Sequence, residues 1–311
     1  PARSARYELH CHLDASVRLE TIAALAHQHD LSLYRPVAEL AVAPANVGSL
    51  HAFLPYIDVA LDVLQTPQAL QRAAEELVED WHRDDVVHGE VRFAPQLHQR
   101  AGLSIDDAIA AVARGLQAGR TRYPVQTALI LCCLRHQPVD TSMQVADAAV
   151  RNDHVVAGLD LAGDERQPGA VHAPAFELAH RAGLPVTVHA GEGAGPQSVW
   201  EALDVLGARR IGHGVRAATD QALVRRLQTD DIALEMCPRC NVLTQAVPTM
   251  QAHPAQQLLE QGVAVTISTD ARTTADTTLN HEFDALARTF GWGQAEYDAV
   301  QDHARRAAFH T

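Results

Sequence analysis

Eight short apolar runs, separated by stretches of helical periodicity, limit how this chain of 311 residues can fold more than any other feature. They are Tyr7 to Leu13, His88 to Ala94, Gln126 to Cys133, Val155 to Leu161, Pro185 to His189, Arg210 to His213, Ile232 to Met236 and Val263 to Thr269. Most are nearly continuous in β-branched and other apolar residues, as strands of a parallel sheet covered on both faces should be. Between them, segments such as Ile105 to Gly119, Pro174 to Ala182, Val199 to Leu206 and Ala252 to Gln261 are amphipathic. The alternation is that of an α/β fold, and eight units in this length suit a closed (β/α)8 TIM-type barrel better than an open doubly wound sheet.

One connection departs from the rhythm. From about residue 15 to 87 there is no strand candidate, only helical segments including Ser49 to Leu64 and Pro67 to His82. Connections that long in a compact domain are usually lids or inserted layers. The expectation is one barrel domain over 1–311 with a helical insertion covering its mouth. Leu50, Phe53, Leu54, Ile57 and Leu61 form a periodic apolar stripe that reads first as the lid's own packing and second as a substrate wall.

In such barrels the active site lies at the carboxyl ends of the strands. His10 and His12 end the first run, Gly163 follows the fourth, His189 ends the fifth, His213 the sixth and Asp270 the eighth. Histidines at i and i+2 on a strand point to the same side, so one metal can take both imidazoles. In a chain with 18 histidines an isolated H-x-H is weak evidence. Convergence with His189, Glu192, His213 and Asp270 at one mouth makes it a zinc site with a position open for water.

Composition removes several alternatives. All 25 basic residues are arginine, which excludes a Schiff-base lysine, a P-loop lysine and a carbamylated lysine bridging two metals. A mononuclear site is expected. The formal net charge of −13 disfavours a nucleic-acid polymer as partner. No apolar run spans a bilayer, and Pro1 to Tyr7 lacks a signal peptide's apolar core, so the expected setting is the cytoplasm, without membrane attachment.

Cys237-Pro238-Arg239-Cys240 has C-x-x-C spacing but no second pair and no thioredoxin-like context, and is read as structural. Cys132 and Cys133 read as buried small residues, and Cys11 should point away from the metal. A cytidine-deaminase type of zinc site, H-x-E followed by P-C-x-x-C, is not met by His88-Gly89-Glu90 and this distant pair.

His10-Cys11-His12-Leu13-Asp14, the turn Asp160-Leu161-Ala162-Gly163-Asp164-Glu165, His189-Ala190-Gly191-Glu192, Arg210-Ile211-Gly212-His213-Gly214, Cys-Pro-x-x-Asn at 237–241 and Ser268-Thr269-Asp270 occur in that order. Together they resemble the adenosine deaminase family over essentially the whole chain. The resemblance implies that His10, His12, His189 and Asp270 hold one zinc ion, which lowers the pKa of bound water to about 7. It implies that His213 and Asp270 orient that water, that Glu192 is the acid donating to purine N1 during attack at C6, and that Gly163 meets N3 while His12 and Asp14 face the ribose. The implied reaction converts adenosine or 2'-deoxyadenosine to inosine or 2'-deoxyinosine plus ammonia, in purine salvage. Asp14 could instead cap the following helix, and Gly163 could serve only its backbone conformation.

The chain departs from the family where an Asp-Asp pair becomes Asp270-Ala271. The second acid meets purine N7 in the family. Losing that bond costs about 1 kcal/mol, and up to about 3 if a buried group is left unpaired. Arg272, Thr273 or Thr274 could substitute, or the substrate could be adenine or a modified adenosine. Ala15, where glycine is common, is a smaller departure. Rival functions are a broader amidohydrolase acting on a cyclic amide or phosphoester, and a non-catalytic relative. Whether the chain is a monomer or a homo-oligomer is not written in the sequence.

Overall fold

The computed structural model describes residues 5–310; residues 1–4 of the amino-terminal segment and Thr311 lie outside them. Eight parallel strands form: β1 (Arg6–His12), β2 (Val86–Phe93), β3 (Gln126–Leu134), β4 (Val156–Ala162), β5 (Thr187–Ala190), β6 (Arg210–His213), β7 (Ala233–Met236) and β8 (Val265–Ile267). β1 to β4 pair in order, as do β5 to β8. Single parallel pairings, Leu159 with Val186 and Cys11 with Asp270, join the two halves at both seams. The Asp270 amide donates to the His10 carbonyl at 2.9 Å and the His12 amide to the Asp270 carbonyl at 2.7 Å, so the barrel closes.

All eight strands lie where the apolar runs placed them, with two instructive shortenings. β5 starts at Thr187 rather than Pro185, since proline has no N–H for the ladder. β8 stops at Ile267 because side chains take over its pairing: Ser268 Oγ accepts the Leu9 and His10 amides at 3.2 and 3.1 Å, and the Thr269 amide donates to Glu8 Oε1 at 2.8 Å.

Between β1 and β2 run α1 (Leu19–Gln28), α2 (Val37–Ala41), α3 (Leu50–Phe53), α4 (Asp58–Val63) and α5 (Pro67–Arg83). The stretch expected as one helix from Ser49 to Leu64 is two, joined by a tighter turn at Leu54–Tyr56. Pro55 breaks it, because the ring removes a helical donor and crowds the preceding turn. Thr66 caps α5 by accepting the Ala69 amide at 3.2 Å. Seven apolar residues of α5, from Ala69 to Trp81, are buried, and α5 packs on β2 and on the helix Ile105–Arg122. It therefore belongs to the outer ring, and the cover over the mouth is narrower than the sequence implied. Among the described residues no helix is long and apolar enough to cross a membrane.

Candidate active site

The mouth holds a cavity of about 340 Å³. Its floor carries His12, Asp14, His189, Glu192, His213 and Asp270, and Gly163 borders it with φ of +97°. Leu50, Phe53, Leu54, Ile57 and Leu61 roof it. The stripe thus serves both roles weighed for it, since Phe53 and Ile57 also pack in an apolar cluster with Ala15, Cys240 and Ala271. Asp14 does not cap α1, whose first turn has no side-chain cap; its carboxyl faces the cavity, and burial pushes its pKa to about 6.

Strand register gathers the imidazoles. Ala190 on β5 is opposite His213 on β6, with His189 opposite Gly212. A Cβ at Gly212 would sit 3.0 Å from His10 Cε1, so this glycine is what lets the His10 ring approach. The His10 ring lies 4.6 to 5.3 Å, centre to centre, from those of His12, His189 and His213. His213 and Asp270 both have φ of +63°, a left-handed conformation that non-glycine residues keep only where surroundings fix it.

His10, His12, His189 and Asp270 each offer one donor atom, all within 4.8 Å of one another. His12 Nε2 and His189 Nε2 are 3.1 Å apart, and Asp270 Oδ1 is 3.3 and 3.4 Å from the Nε2 atoms of His10 and His12. His10 Nε2 is fully buried without a hydrogen-bond partner. On the opposite ring edges, His10 Nδ1 meets Glu235 Oε2 at 2.8 Å and His189 Nδ1 meets Asp160 Oδ1 at 3.1 Å. Carboxylates behind the rings turn the Nε2 lone pairs inward, the usual outer arrangement around histidine metal ligands. Three imidazoles and a carboxylate suit a divalent, borderline-soft ion. Burial, with Arg92 nearby, holds His10 below the ordinary imidazole value, so its ring is a neutral donor.

Glu192 is 4 % exposed and burial raises its pKa, against the opposing pull of His213. Its Oε2 is 3.4 Å from His213 Nε2, and Thr244 Oγ1 donates to its Oε1 at 2.9 Å. A second motif residue, Glu165, holds the turn that carries it. The Glu165 carboxylate accepts the amides of Gly191, Glu192, Gly193 and Ala194 at 2.8 to 3.2 Å, and the Ser198 hydroxyl at 2.9 Å. In the sequence Glu165 stands 26 residues before Gly191, and no local pattern links it to that turn.

His213 is held by a chain of its own. The Ala255 amide donates to His253 Nδ1, His253 Nε2 donates to Asn241 Oδ1, and Asn241 Nδ2 donates to His213 Nδ1, at 3.2, 3.2 and 2.9 Å. The Cys237 amide also donates to Asn241 Oδ1, which fixes the orientation of the Asn241 amide. Nδ1 of His213 is therefore an acceptor, and the neutral ring carries its hydrogen on Nε2, toward Glu192.

Arg272 does not replace the missing acid. It pairs with Glu8 Oε2 and Asp84 Oδ2, both at 3.1 Å, while Thr273 Oγ1 bonds the Val17 carbonyl at 2.7 Å. Neither they nor Thr274 line the cavity; Ala271 does, 2 % exposed. All five cysteines are unpaired and buried. The Cys11 thiol lies 3.3 Å from Ser16 Oγ, away from the imidazoles, and burial pushes its pKa to about 12. Cys237 comes within 4.8 Å of ligand atoms of His213 and Asp270, but burial keeps it a thiol, and Cys132 forms part of the cavity wall.

A closed parallel barrel with imidazoles and carboxylates converging at its carboxyl mouth defines the class of metal-dependent barrel hydrolases. The adenosine deaminase family profile matches residues 5–311. An adenosine deaminase of Vibrio vulnificus is 38% identical over 300 residues, covering 94% of this chain and 90% of that protein. Among solved structures, an adenine deaminase of Arthrobacter aurescens superposes with a TM-score of 0.92 at 27% identity, covering 98% of this chain and 94% of that one. An amidohydrolase of Burkholderia ambifaria with bound zinc has the same fold, with a TM-score of 0.90 at 24% identity over 99% of this chain and 86% of that one. The chain belongs to the adenosine deaminase family.

Proposed function

We propose that this protein hydrolyses adenosine and 2'-deoxyadenosine to inosine and 2'-deoxyinosine with release of ammonia, as a step of purine salvage. The observation that carries this reading is the buried, raised-pKa carboxyl of Glu192 beside His213, facing the cluster of three imidazoles and Asp270. Relatives named adenosine deaminase, 34% to 38% identical over nearly the whole chain, support it.

His10, His12, His189 and Asp270 would hold one zinc ion, which when bound supplies Lewis acidity and brings the pKa of a coordinated water to about 7. Hydrolysis adds water at C6 of the purine and expels the 6-amino group. Burial favours the protonated form of the Glu192 carboxyl, which delivers its proton to N1 as the C6–N1 bond gains single-bond character. His213 presents Nε2–H to the reacting face and stabilises the charge on the oxygen added at C6; of the two protons of the added water, one restores Glu192 after its transfer to N1 and the other leaves on the 6-amino group as ammonia. Asp270 orients the attacking water. Gly163 presents its backbone amide to N3, and His12 and Asp14 face the ribose. The leucines of α3 and α4 exclude water above the ring.

The same reading makes 1–311 one barrel domain, with the part of 15–87 that precedes α5 as the insertion over its mouth. With five unpaired cysteines, its setting is the cytoplasm. A second reading, deamination of adenine or of a modified adenosine, is favoured by Ala271 and by the Arthrobacter neighbour. Ammonia release from a panel of 6-aminopurine compounds, with and without chelator, tests both. Adenosine should be the best substrate and chelator should abolish turnover. Faster turnover of adenine would select the second reading, and no ammonia from any compound would remove both.

A further inference from the structure

Barrels of this kind usually fill their interior with layers of branched apolar side chains. Here five charged side chains occupy it: Glu90 and Arg92 on β2, Asp160 on β4, Arg210 on β6 and Glu235 on β7, none more than 1 % exposed. They alternate in sign. Arg210 Nη2 meets Glu90 Oε2 at 2.5 Å and its Nε meets Glu235 Oε1 at 2.6 Å. Arg92 Nη2 meets Glu235 Oε2 at 2.8 Å and its Nη1 meets Asp160 Oδ2 at 3.2 Å. Arg92 Nη2 also donates to the Leu9 carbonyl at 2.7 Å, one residue before His10.

Glu235 and Asp160 are the two carboxylates that hold Nδ1 of His10 and of His189. They sit on strands three apart in the barrel, and Arg92 is the cation common to both. Each acid accepts the Nδ1–H of its imidazole and also binds Arg92, so the two together aim both Nε2 atoms at one point. The spread of the guanidinium thereby sets the spacing of the two acids. Arg92 does not border the cavity and cannot touch a substrate there.

We propose that Arg92 is a positioning residue for the metal centre, fixing His10 and His189 relative to each other through Glu235 and Asp160, so that it governs metal affinity and turnover but not substrate affinity. This rests on the reading of His10 and His189 as metal ligands. Lysine keeps the charge but has one nitrogen and cannot bridge two carboxylates in a fixed plane.

The test measures zinc dissociation constants by competition with a chromophoric chelator, alongside Tm, kcat and KM for adenosine at saturating zinc, in the full chain. R92K should bind zinc about 10- to 100-fold more weakly, the usual effect of losing an outer partner of a ligand histidine. Its kcat should fall while KM stays within about threefold. R92M should be weaker still; if it does not fold, R92K decides alone. E90Q, at the far end of the same column, should lower Tm yet leave zinc affinity within about twofold. Zinc affinity in R92K within about threefold of wild type, or an equal loss in E90Q, would overturn the proposal by making the column merely structural. Failure of the wild-type chain to bind zinc would overturn the ligand reading itself, an outcome distinct from either.

Discussion

Thr244 donates its hydroxyl to Oε1 of Glu192 at 2.9 Å, leaving Oε2 turned toward His213 Nε2, 3.4 Å away. One oxygen is anchored and the other faces the reacting side, so the proton that Glu192 carries has a defined direction. Glu192→Gln keeps the shape and removes the acid. It should lower kcat by about 10²- to 10⁴-fold while zinc stays bound, the range that a placed general acid supplies. Near-normal turnover in that variant would remove Glu192 from the role. Because the carboxyl's pKa is raised, its protonated form is lost as pH rises through that value, and the alkaline limb of kcat/KM should disappear in the variant's residual activity.

Glu165 holds the turn that carries Glu192 with a carboxylate that only accepts. Glu165→Gln would point an NH₂ group at backbone N–H donors, leaving about two of them unpaired. Each buried donor left unpaired costs roughly 1 to 3 kcal/mol. Thermal unfolding should fall accordingly and kcat should drop more than KM changes; wild-type kcat would show that the turn holds itself.

Asn241 dictates which ring nitrogen of His213 carries hydrogen. Asn241→Asp replaces a donor by an acceptor, draws the hydrogen to Nδ1 and strips Nε2. A reversed tautomer at a catalytic histidine has cost about 10⁴ in kcat in the serine proteases. A loss of at least about 100-fold is expected here, with the ring ¹⁵N shifts of His213 exchanging roles. Unchanged kcat together with exchanged shifts would show that the tautomer does not matter.

Purine N1 and N7 flank C6 on opposite sides, so a ring whose N1 faces Glu192 turns N7 toward Asp270 and Ala271. That wall is apolar, formed with Ala15, Phe53 and Cys240, and Arg272 is committed to Glu8 and Asp84. Adenosine and 7-deazaadenosine should therefore be turned over with similar kcat/KM. Ala271→Asp should raise the value for adenosine by about 10-fold, a hydrogen bond of roughly 1.4 kcal/mol, without helping the deaza compound. An unchanged or lower value for adenosine would point to another ligand.

Glu282, 1 % exposed, is pushed by burial from 4.5 to about 7, with Thr277 and the Arg239 amide opposing the shift at 2.7 and 3.0 Å. The folded state thus holds a proton that the unfolded chain releases above about pH 4.5. Stability is lost as pH rises from about 4.5 to 7 and is flat beyond, by on the order of 3 kcal/mol for a shift of this size. Glu282→Gln should remove that slope in denaturant titrations run from pH 5 to 8. A slope unchanged from wild type would assign it elsewhere.

The apolar runs and the His-x-His, His-Ala-Gly-Glu, Gly-His-Gly and Ser-Thr-Asp segments determined by themselves that there would be eight strands and which side chains would stand at their ends. Strand periodicity and the carboxyl-end rule are local properties, and local properties can be read along a chain. Pro55 and Pro185 shifted boundaries because proline acts on backbone hydrogen bonds that apolar spacing does not report. Only the tertiary structure decided how the ends are held. Glu165, Asn241, His253, Thr244 and Arg92 act through contacts between residues from 12 to 143 positions apart, and no spacing rule links them. The N7 wall was decided in the same way: Ala271 announced a missing acid, but whether Arg272 replaced it depended on Glu8 and Asp84, partners that only the closed barrel brings beside it.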